Sequence, residues 1–366
     1  MRKGWEYKRL DECANIEYGT RVVQKKDSGT LYPVYGGGGE TFRMDKFNRE
    51  DCLIVARFAM SRRCVRFVNG KFFLNDSGLS VKAGDKLYQS YLNYNIISLN
   101  DDIYHLGKGA AQRNLDVKSF KKLTIAIPPQ STQLAIVSEL DKINELIRLK
   151  KEQLKDFDNL AQSLFYEMFG DPVENEKGWE VKKLKDISRE IGDGLHGTPE
   201  YSEVDTGCYF INGNNLENGT IVIKENTKMV SEKTKAKHYI EMDDFTILVS
   251  INGTLGKVAF YNGENVILGK SACYIKLEAY NDKKYIFELL KSDYFKRYAE
   301  SECTGTTIRN VSLKSMRNFR CPLPPLPLQR LFAQRIEQIE REKSEVQKSI
   351  QDLETLLASR MQYWFE

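Results

Sequence analysis

Glycine-rich stretches are the first segments of this chain whose residue types could carry chemistry. Residues 192–197 match the G-x-G-x-x-G pattern of dinucleotide-binding turns. That pattern requires a helix directly after it, but Pro199 follows, and the residue before a proline avoids the helical region. The four glycines at 36–39 are not followed by the Lys-Ser/Thr of a phosphate-binding P-loop, and they indicate a flexible loop. Neither stretch predicts a nucleotide site.

Catalytic and metal-binding patterns are equally hard to assemble. Seven cysteines and three histidines are scattered without a C-x-x-C pair, so we expect no metal site. The cysteine pattern and the polar N-terminus are typical of free thiols in the cytoplasm. No window of about 18 apolar residues predicts a membrane span. The sequence contains no Asn-Pro-Pro-aromatic motif, which is typical of amino-methyltransferases. It also offers no carboxylate cluster of a nuclease and no Ser/His/Asp set. We therefore expect no catalytic residues.

Positive charge is the remaining chemical signal, and it is unevenly distributed. The 366 residues include 55 Lys and Arg against 51 Asp and Glu, a net charge of +4. Residues 1–129 carry a net charge of +8, whereas residues 178–327 carry +1. A basic excess on one globular segment is typical of a surface that binds a polyanion. A solvated basic face is the alternative that charge alone leaves open.

An internal repeat organises the chain. Its runs of β-branched and aromatic residues, separated by Asn-Gly turns, predict strands, and residues 285–292 of the second copy predict a short helix. The order of the matches is kept, although loop insertions change their spacing. We therefore expect two similar mixed α/β domains. The matched segments are 4–10 with 178–184, 51–81 with 244–274, 109–115 with 305–311, and 128–129 with 324–325.

Each copy continues into a long helix that carries a heptad pattern. Apolar residues recur at steps of three and four from Ile136 to Met168, and the same grid returns 196 residues later, interrupted by Lys343 and Arg360. Such a narrow stripe requires a partner helix, so we favour an antiparallel coiled coil with pseudo-twofold symmetry. The alternative packs each helix on its own domain. The expected segments are a first domain at 1–129, a first long helix at 130–172, a second domain at 178–327 and a second long helix at 328–366.

The repeat also sorts the basic residues. Arg113 and Arg309 occupy the same place in both copies, so they cannot encode a difference between two binding sites. We expect them to contact phosphate or to support the scaffold. Three arginines of the first copy have no basic counterpart, and they could read bases, as arginine does at guanine. Phosphate contact or surface solvation is the alternative for each. Arg57, Arg62 and Arg63 are matched to Ser250, Leu255 and Gly256.

Three motifs, together with the repeat, resemble one family. Residues 192–201, residues 245–257 and residues 323–329 ahead of a heptad helix are similar to the specificity subunit of Type I restriction–modification systems. The resemblance implies two target-recognition domains on double-stranded DNA, separated by antiparallel helices, and an asymmetric bipartite target. It implies two adenine-N6 methyltransferase subunits, which bring S-adenosylmethionine, and motor–nuclease subunits that use ATP and Mg. No cofactor is expected on this chain.

The first copy departs from these motifs at residues 17–20 and 32–35, which predicts that the two domains read different sequences. A stand-alone DNA methyltransferase or nuclease is one alternative function. A coiled-coil interaction protein that never touches DNA is another. The predicted DNA contacts are Arg57, Arg62, Arg63, Lys108, Arg113, His196, Thr198, Asn212, Asn214, Asn252, Lys257 and Arg309.

Overall fold

The chain forms two mixed α/β units in a computed structural model that describes residues 2–109, 112–304 and 309–366. One compact unit comprises Met1–Lys151 with Gln347–Glu366, and the other comprises Glu152–Val346. The glycine-containing match between residues 109–115 and 305–311 falls partly on 110–111 and 305–308, which lie outside the described residues. Among the described residues, no helix is apolar over a length that would cross a membrane.

Among the described residues, the first unit contains ten strands, five short helices, the start of one long helix and the end of another. Its strands are β1 Glu6–Arg9, β2 Ala14–Tyr18, β3 Tyr32–Gly36, β4 Gly39–Met44, β5 Arg49–Ala56, β6 Val65–Leu74, β7 Gly78–Ala83, β8 Gly107–Lys108, β9 Asn114–Leu115 and β10 Thr124–Ile127. Its helices are α1 Leu10–Cys13, α2 Gln24–Asp27, α3 Gln89–Ser98, α4 Asn100–His105, α5 Val117–Lys121 and α6 Gln130–Phe169, which continues into the second unit.

A six-stranded sheet in the order β2-β7-β5-β6-β3-β4 forms the centre of the first unit. Successive side chains of a strand point to opposite faces. Accordingly, Leu53 and Val55 of β5 join one buried cluster, whereas Ile54 joins another with Phe72. The centre of the sheet is therefore buried on both faces. Exposed polar residues are then expected mainly in the loops that connect its strands. The N-terminal β1 pairs antiparallel with β10, directly before α6.

The second unit repeats this plan. Its strands are β11 Glu180–Lys183, β12 Ser188–Asp193, β13 Tyr209–Ile211, β14 Leu216–Glu217, β15 Thr220–Ile221, β16 Thr246–Ser250, β17 Val258–Phe260, β18 Val266–Leu268, β19 Ala272–Leu277 and β20 Arg320–Leu323. Its helices are α7 Glu232–His238, α8 Lys283–Lys291, α9 Asp293–Ser301, α10 Leu313–Asn318 and α11 Leu326–Phe365, with 3₁₀ turns at Leu184–Ile187 and Gly213–Asn215.

A four-stranded sheet in the order β12-β19-β16-β17 is the core of the second unit. Every residue of β16 is buried, and its first four residues, Thr246–Val249, are β-branched or aliphatic. The strand pair β11–β20 precedes α11 as β1–β10 precedes α6. The strands β13 and β18 pair in parallel, as β3 and β6 do in the first unit. The predicted duplication of one mixed α/β unit is confirmed.

The two long helices run antiparallel within the first unit. Arg360 of α11 donates hydrogen bonds to Glu139 of α6, and the indole Nε1 of Trp364 donates to the same carboxylate at 2.9 Å. Farther along α6, Lys151 Nζ lies 2.7 Å from Glu354 Oε1 of α11. Residue numbers therefore rise along α6 while they fall along α11.

The same sense holds in the second unit. Lys343 Nζ of α11 lies 2.9 Å from Asp158 Oδ1 of α6, and the rings of Phe165 and Phe332 pack edge to face at 5.8 Å. The predicted antiparallel pairing is thus confirmed. Lys343 and Arg360, the two residues that interrupt the heptad grid, each bind an acidic side chain on the facing helix.

A buried glutamine anchors the start of each long helix. In the first unit, Gln133 Nε2 donates to Pro128 O at 2.9 Å, and its Oε1 accepts from Tyr88 N at 2.9 Å. In the second unit, Gln329 Nε2 donates to Pro324 O at 2.8 Å. Its Oε1 accepts a backbone N–H at the start of α8 at 3.0 Å. Both amides are buried and satisfied, so each helix is held to its own domain at a defined point.

Candidate nucleic-acid interface

The loop between β5 and β6 of the first unit carries three of the predicted DNA contacts. Its backbone is tied to the segment that contains β9. Met60 N donates to Arg113 O at 2.9 Å, and Leu115 N donates to Arg57 O at 2.8 Å. The fold thereby brings Arg57 and Arg113 to adjacent backbone segments, although they are far apart in the sequence.

Arg57 is held in a fixed orientation. Its guanidinium lies 4.2 Å from the ring centroid of Phe58 and 5.3 Å from that of Tyr18. Its Nη1 donates to Asp76 O at 3.1 Å. Cation–π contacts on two rings and one hydrogen bond limit the motion of this planar group. The remaining N–H groups can approach a ligand at little further cost in side-chain entropy.

Arg62 and Arg63 are exposed on the same loop. Within residues 2–109, 112–304 and 309–366, neither guanidinium has a hydrogen-bond or ion-pair partner. The neighbouring Arg66 donates to Gly37 O and to Arg63 O. Burial lowers the pKa of Arg66, and the nearby charge of Arg63 lowers it further. Like charges are therefore crowded at this edge, which favours an anionic partner.

An open groove of about 940 Å³ lies beside β8 and β9 of the first unit. Lysines of α5 contribute positive charge to it, and Tyr18 contributes an aromatic surface. An open, cationic groove with an aromatic wall suits the phosphodiester backbone of a nucleic acid. Its lining residues are Tyr18, Lys108, Gly109, Asn114, Leu115, Asp116, Val117, Lys118 and Lys121.

Two predicted contacts in this region already have partners. Lys108 is 78 % exposed, yet its Nζ lies 2.6 Å from Asp116 Oδ2. The hydrogen bond from Lys108, with others from Ser119 in the first turn of α5, lowers the pKa of Asp116 to about 2. Asp116 is therefore ionised at neutral pH and offsets the charge of Lys108. The guanidinium of Arg113 lies 4.6 Å from the ring centroid of Tyr104.

The second unit has a pocket of about 430 Å³ that combines amides, aromatic rings and lysines. Three of the predicted contacts, Asn212, Asn214 and Lys257, line it together. Amides are donors and acceptors at once, and lysines are phosphate-binding charges, so the pocket can both position and read a nucleic acid. Its lining residues are Tyr201, Phe210, Asn212, Asn214, Asn215, Lys224, Asn226, Thr227, Lys228 and Lys257.

A short 3₁₀ turn, Gly213–Asn215, holds the amides of this pocket. Gly213 N donates to Ser271 Oγ at 2.9 Å, and the Ser271 hydroxyl donates to Asn212 Oδ1 at 3.0 Å. Asn215 is buried, and its amide bonds to Asn212 N, Val222 O and the Thr227 hydroxyl. Asn212 and Asn215 therefore hold the turn, while Asn214 is exposed.

Charge in the pocket is partly balanced by Glu217. Lys224 Nζ lies 2.7 Å from Glu217 Oε1, and Lys257 Nζ lies 3.8 Å from the same oxygen. Hydrogen bonding to Lys224 lowers the pKa of Glu217, so the carboxylate is ionised at neutral pH. The ammonium of Lys228 lies 4.7 Å from the ring centroid of Tyr201. One lysine of the pocket thus lies on its aromatic wall, and two others share the carboxylate of Glu217.

His196 and Thr198 are exposed on the segment after β12. The imidazole Nε2 of His196 lies 2.8 Å from Asp193 Oδ2. Leu195 N donates to Leu268 O at 2.7 Å, and Lys270 N donates to Leu195 O at 3.1 Å. These bonds fasten the segment to the end of β18, next to the serine that holds Asn212.

Asn252 and Arg309 meet at another edge of the second unit. Gly253 N donates to Arg309 O at 2.9 Å, and Asn252 forms a backbone bridge with Asn310. The side chain of Arg309 is 63 % exposed, and its Nη1 lies 3.5 Å from Glu300 Oε1. An exposed ion pair of this length contributes little stability, so the guanidinium is available to a stronger anion.

The two units share backbone hydrogen bonds that correct one pairing from the sequence. Arg57 N donates to Ser77 O in the first unit, and Ile251 N donates to Ser271 O in the second. Arg57 is therefore equivalent to Ile251, not to Ser250 as the constant offset predicts. The loop after β5 has one more residue than the loop after β16, and this shifts the register. Ile251 is buried, whereas Arg57 is partly exposed.

Several pocket and groove residues were not among the predicted contacts. Lys118 and Lys121 of α5 and the aromatic Tyr201 of the second pocket are the clearest examples. Spacing of lysines at i and i+3 after the capping Asp116 is a signal that could have indicated the first pair. No local pattern indicates Tyr201, because only the fold brings it beside the amide turn. Among the described residues, no cluster of His, Cys, Asp and Glu could hold a metal ion.

Comparison with known proteins identifies relatives over most of the chain. The family model described as the Type I restriction modification DNA specificity domain matches residues 2–156 and 176–355. The MjaVIII specificity subunit of a type I restriction enzyme from Methanocaldococcus jannaschii is 22 % identical over 322 residues, covering 79 % of this chain and 75 % of that protein. The MjaIX specificity subunit from the same organism is 23 % identical over 372 residues, covering 90 % and 85 %.

Solved structures share the fold. The S subunit of a type I restriction–modification system from M. genitalium aligns with a TM-score of 0.53 and 17 % identity, covering 98 % of this chain and 95 % of that one. A chain from a structure on complex assembly and conformational transition of the type I R–M system aligns with a TM-score of 0.59 and 17 % identity. It covers 100 % of this chain and 98 % of that one.

Proposed function

The chain belongs to the type I restriction–modification DNA specificity family, and from this premise we propose that each of its two units reads one half of an asymmetric bipartite DNA site. Its general role, sequence recognition without catalysis, is that of a specificity subunit.

One observation carries this proposal. The two units repeat the same backbone hydrogen bonds around the loops after β5 and β16, yet they place different side chains there. The first unit presents arginines and a lysine-lined groove, and the second presents amides beside aromatic rings. A shared scaffold with different reading groups is what two unlike half-sites require.

Contacts to the DNA backbone and to the bases are assigned to different residues. We assign phosphate contacts to Lys108, Lys118 and Lys121, because they line an open groove. Base contacts are assigned to Arg62 and Arg63, whose guanidinium groups are exposed and unpaired within the described parts of the chain. Arginine donates two parallel hydrogen bonds to the O6 and N7 atoms of guanine.

Partner subunits are proposed to dock on the long helices. Leu134, Leu146 and Leu149 of α6 are each nearly half exposed, although the heptad positions between them are buried. Exposed leucines on a helix that already has a packed face indicate a second contact surface. The proposed occupants are two adenine-N6 methyltransferase subunits, which would bring S-adenosylmethionine. Motor–nuclease subunits would bring ATP and Mg to the assembly.

The deciding experiment is methylome sequencing of cells with and without this chain. We expect one bipartite adenine-methylated motif to depend on it. Exchange of residues 178–324 for the matching segment of another specificity subunit should change one half of that motif and leave the other half intact. Simultaneous change of both halves would contradict separate reading, and the absence of any chain-dependent motif would contradict the proposed function.

A further inference from the structure

We propose that Asn214 reads an adenine in the half-site of the second unit, an inference that rests on the proposed function and adds the base it recognises. Asn214 lies on the amide turn, which we define as residues 212–215.

The amide turn has a structural equivalent at residues 36–38 of the first unit. Gly37 N donates to Ser77 Oγ at 2.9 Å, just as Gly213 N donates to Ser271 Oγ at 2.9 Å. The strands before these turns, β3 and β13, both pair in parallel with the strand that leads to the serine, β6 and β18 respectively. Asn214 therefore occupies the place of Gly38.

The asparagine that binds the serine lies on a different segment in each unit. In the first unit it follows β6, and in the second unit it follows β13. In the first unit, Asn75 Oδ1 accepts from the Ser77 hydroxyl at 2.6 Å. In the second unit, Asn212 Oδ1 accepts from the Ser271 hydroxyl at 3.0 Å. The position opposite each asparagine is a glycine, because a Cβ there would meet the amide or its serine. These glycines are Gly36, opposite Asn75, and Gly269, opposite Asn212.

This exchange separates scaffold from reader. Asn75 and Asn212 each accept a hydrogen bond from the equivalent serine. The side-chain oxygen of Asn212 therefore supports the turn. Asn214 has no such counterpart, since Gly38 lacks a side chain and a Cβ there would find no atom within 4 Å. The turn thus differs between the units at a point that faces open space. A difference at an open position can encode a difference between half-sites.

The side chain of Asn214 is free while its backbone is held. Lys224 Nζ donates to Asn214 O at 2.9 Å, and the two preceding residues, Asn212 and Gly213, fasten the turn to Ser271. Within the described parts of the chain, the side-chain amide of Asn214 has no hydrogen-bond partner. Tyr201 and Phe210 form the wall of the same pocket, with ring centroids 6.3 Å apart. A fixed backbone and a free amide are the conditions for reading a base edge.

The chemistry of an amide selects adenine. The major-groove edge of adenine offers one acceptor, N7, and one donor, the N6 amino group, and an asparagine side chain offers one of each. Guanine offers two acceptors at that edge and is better matched by arginine. The unpaired Arg62 and Arg63 are in the first unit, so the two units carry readers for different purines.

The test uses the full chain assembled with its methyltransferase subunits and a duplex library with randomised positions. The wild-type assembly should enrich a bipartite motif with an adenine in the second half-site. Asn214→Ala should lose preference at that adenine by roughly 5- to 150-fold and keep the first half unchanged. Placing 7-deaza-adenine there removes N7. It should weaken wild-type binding by a comparable factor and leave the variant unaffected.

Asn262→Ala is the matched control, because Asn262 carries an exposed side-chain amide in the same unit but is not among the residues that line the pocket. It should leave the motif unchanged. Gly38→Asn should add an adenine preference to the first half-site, which would support the equivalence of the two turns. Retention of every adenine preference by Asn214→Ala would overturn the assignment. If the wild-type assembly enriches no motif at all, the proposed function fails first, and the assignment of Asn214 fails with it.

Discussion

The backbone N–H of Gly253 donates a 2.9 Å hydrogen bond to the carbonyl oxygen of Arg309. Met60 and Arg113 make the same bond in the first unit, also at 2.9 Å. In both places, the main chain of the arginine closes the loop after a central strand. The side chain points to a different partner in each unit, the ring of Tyr104 or the carboxylate of Glu300.

This relationship predicts that Arg113 and Arg309 contribute affinity without selectivity. Arg113→Ala or Arg309→Ala should weaken binding to cognate and scrambled duplexes alike and lower the salt slope by roughly one. The backbone bond survives truncation to alanine, so folding should be kept. Salt titrations on both duplexes measure the effect. Selective loss of the cognate site in Arg309→Ala, with an unchanged slope, would show that a shared residue can read bases.

Arg62 and Arg63 should behave in the opposite way. Their guanidinium groups are unpaired within the described residues, and Arg62→Ala or Arg63→Ala should relax the preference at one position of the first half-site. A lost bidentate contact to guanine costs about 1–3 kcal/mol. Competition binding with single-base variants of the duplex measures the change. A uniform loss across all variants would instead assign these residues to phosphate.

Asp116→Asn should strengthen DNA binding. The substitution removes the anion that offsets Lys108 but keeps a side-chain oxygen that can cap α5, as aspartate does now. One more uncompensated lysine should steepen the salt slope by up to about one. Lys108→Ala in the same background should abolish the gain. An Asp116→Asn protein that binds no more tightly at low salt would argue that the groove does not contact DNA.

Gln133→Ala and Gln329→Ala should each destabilise the unit that holds the glutamine. Both side chains are buried, and truncation leaves backbone groups without partners, which costs about 1–3 kcal/mol for each unsatisfied group. Urea denaturation measures the loss, and hydrogen exchange of the Tyr88 amide reports it locally. Gln351→Ala, at an exposed position of α11, is the control and should change stability by less than about 0.5 kcal/mol.

Arg360→Met should reduce the acid sensitivity of the helix pair in the first unit. Hydrogen bonds from Arg360 lower the pKa of Glu139 below its ordinary value of 4.5. A carboxyl whose pKa is lowered by folding adds stability above its unfolded pKa and loses it as the pH falls through the folded value. The midpoint temperature of thermal unfolding should therefore fall less steeply in the variant than in the wild type as the pH is lowered from neutral to acid. An unchanged pH profile would mean that the ion pair does not couple to folding.

The sequence alone determined the duplication, the mixed α/β character and the long helices. These features are written in local periodicity and in self-similarity, which need no knowledge of contacts. The spacing from Ile136 to Met168 predicts a buried stripe because side chains three and four residues apart share one helix face. The residues that break this stripe, Lys343 and Arg360, could be located from the sequence, but their acidic partners could not.

Only the tertiary structure decided which polar side chains have hydrogen-bond or ion-pair partners within the chain and which are available to a ligand. Because the loop after β5 has one extra residue, Arg57 is equivalent in position to Ile251. An alignment with a constant offset cannot detect such a shift. Asn75 and Asn212 are unrelated in sequence alignment, yet both reach an equivalent serine, because hydrogen bonding depends on distances between strands. Lys108 looks like a free cation until Asp116 is placed 2.6 Å from it. Pairings of this kind depend on strand register and loop length, and these become definite only when the chain is packed.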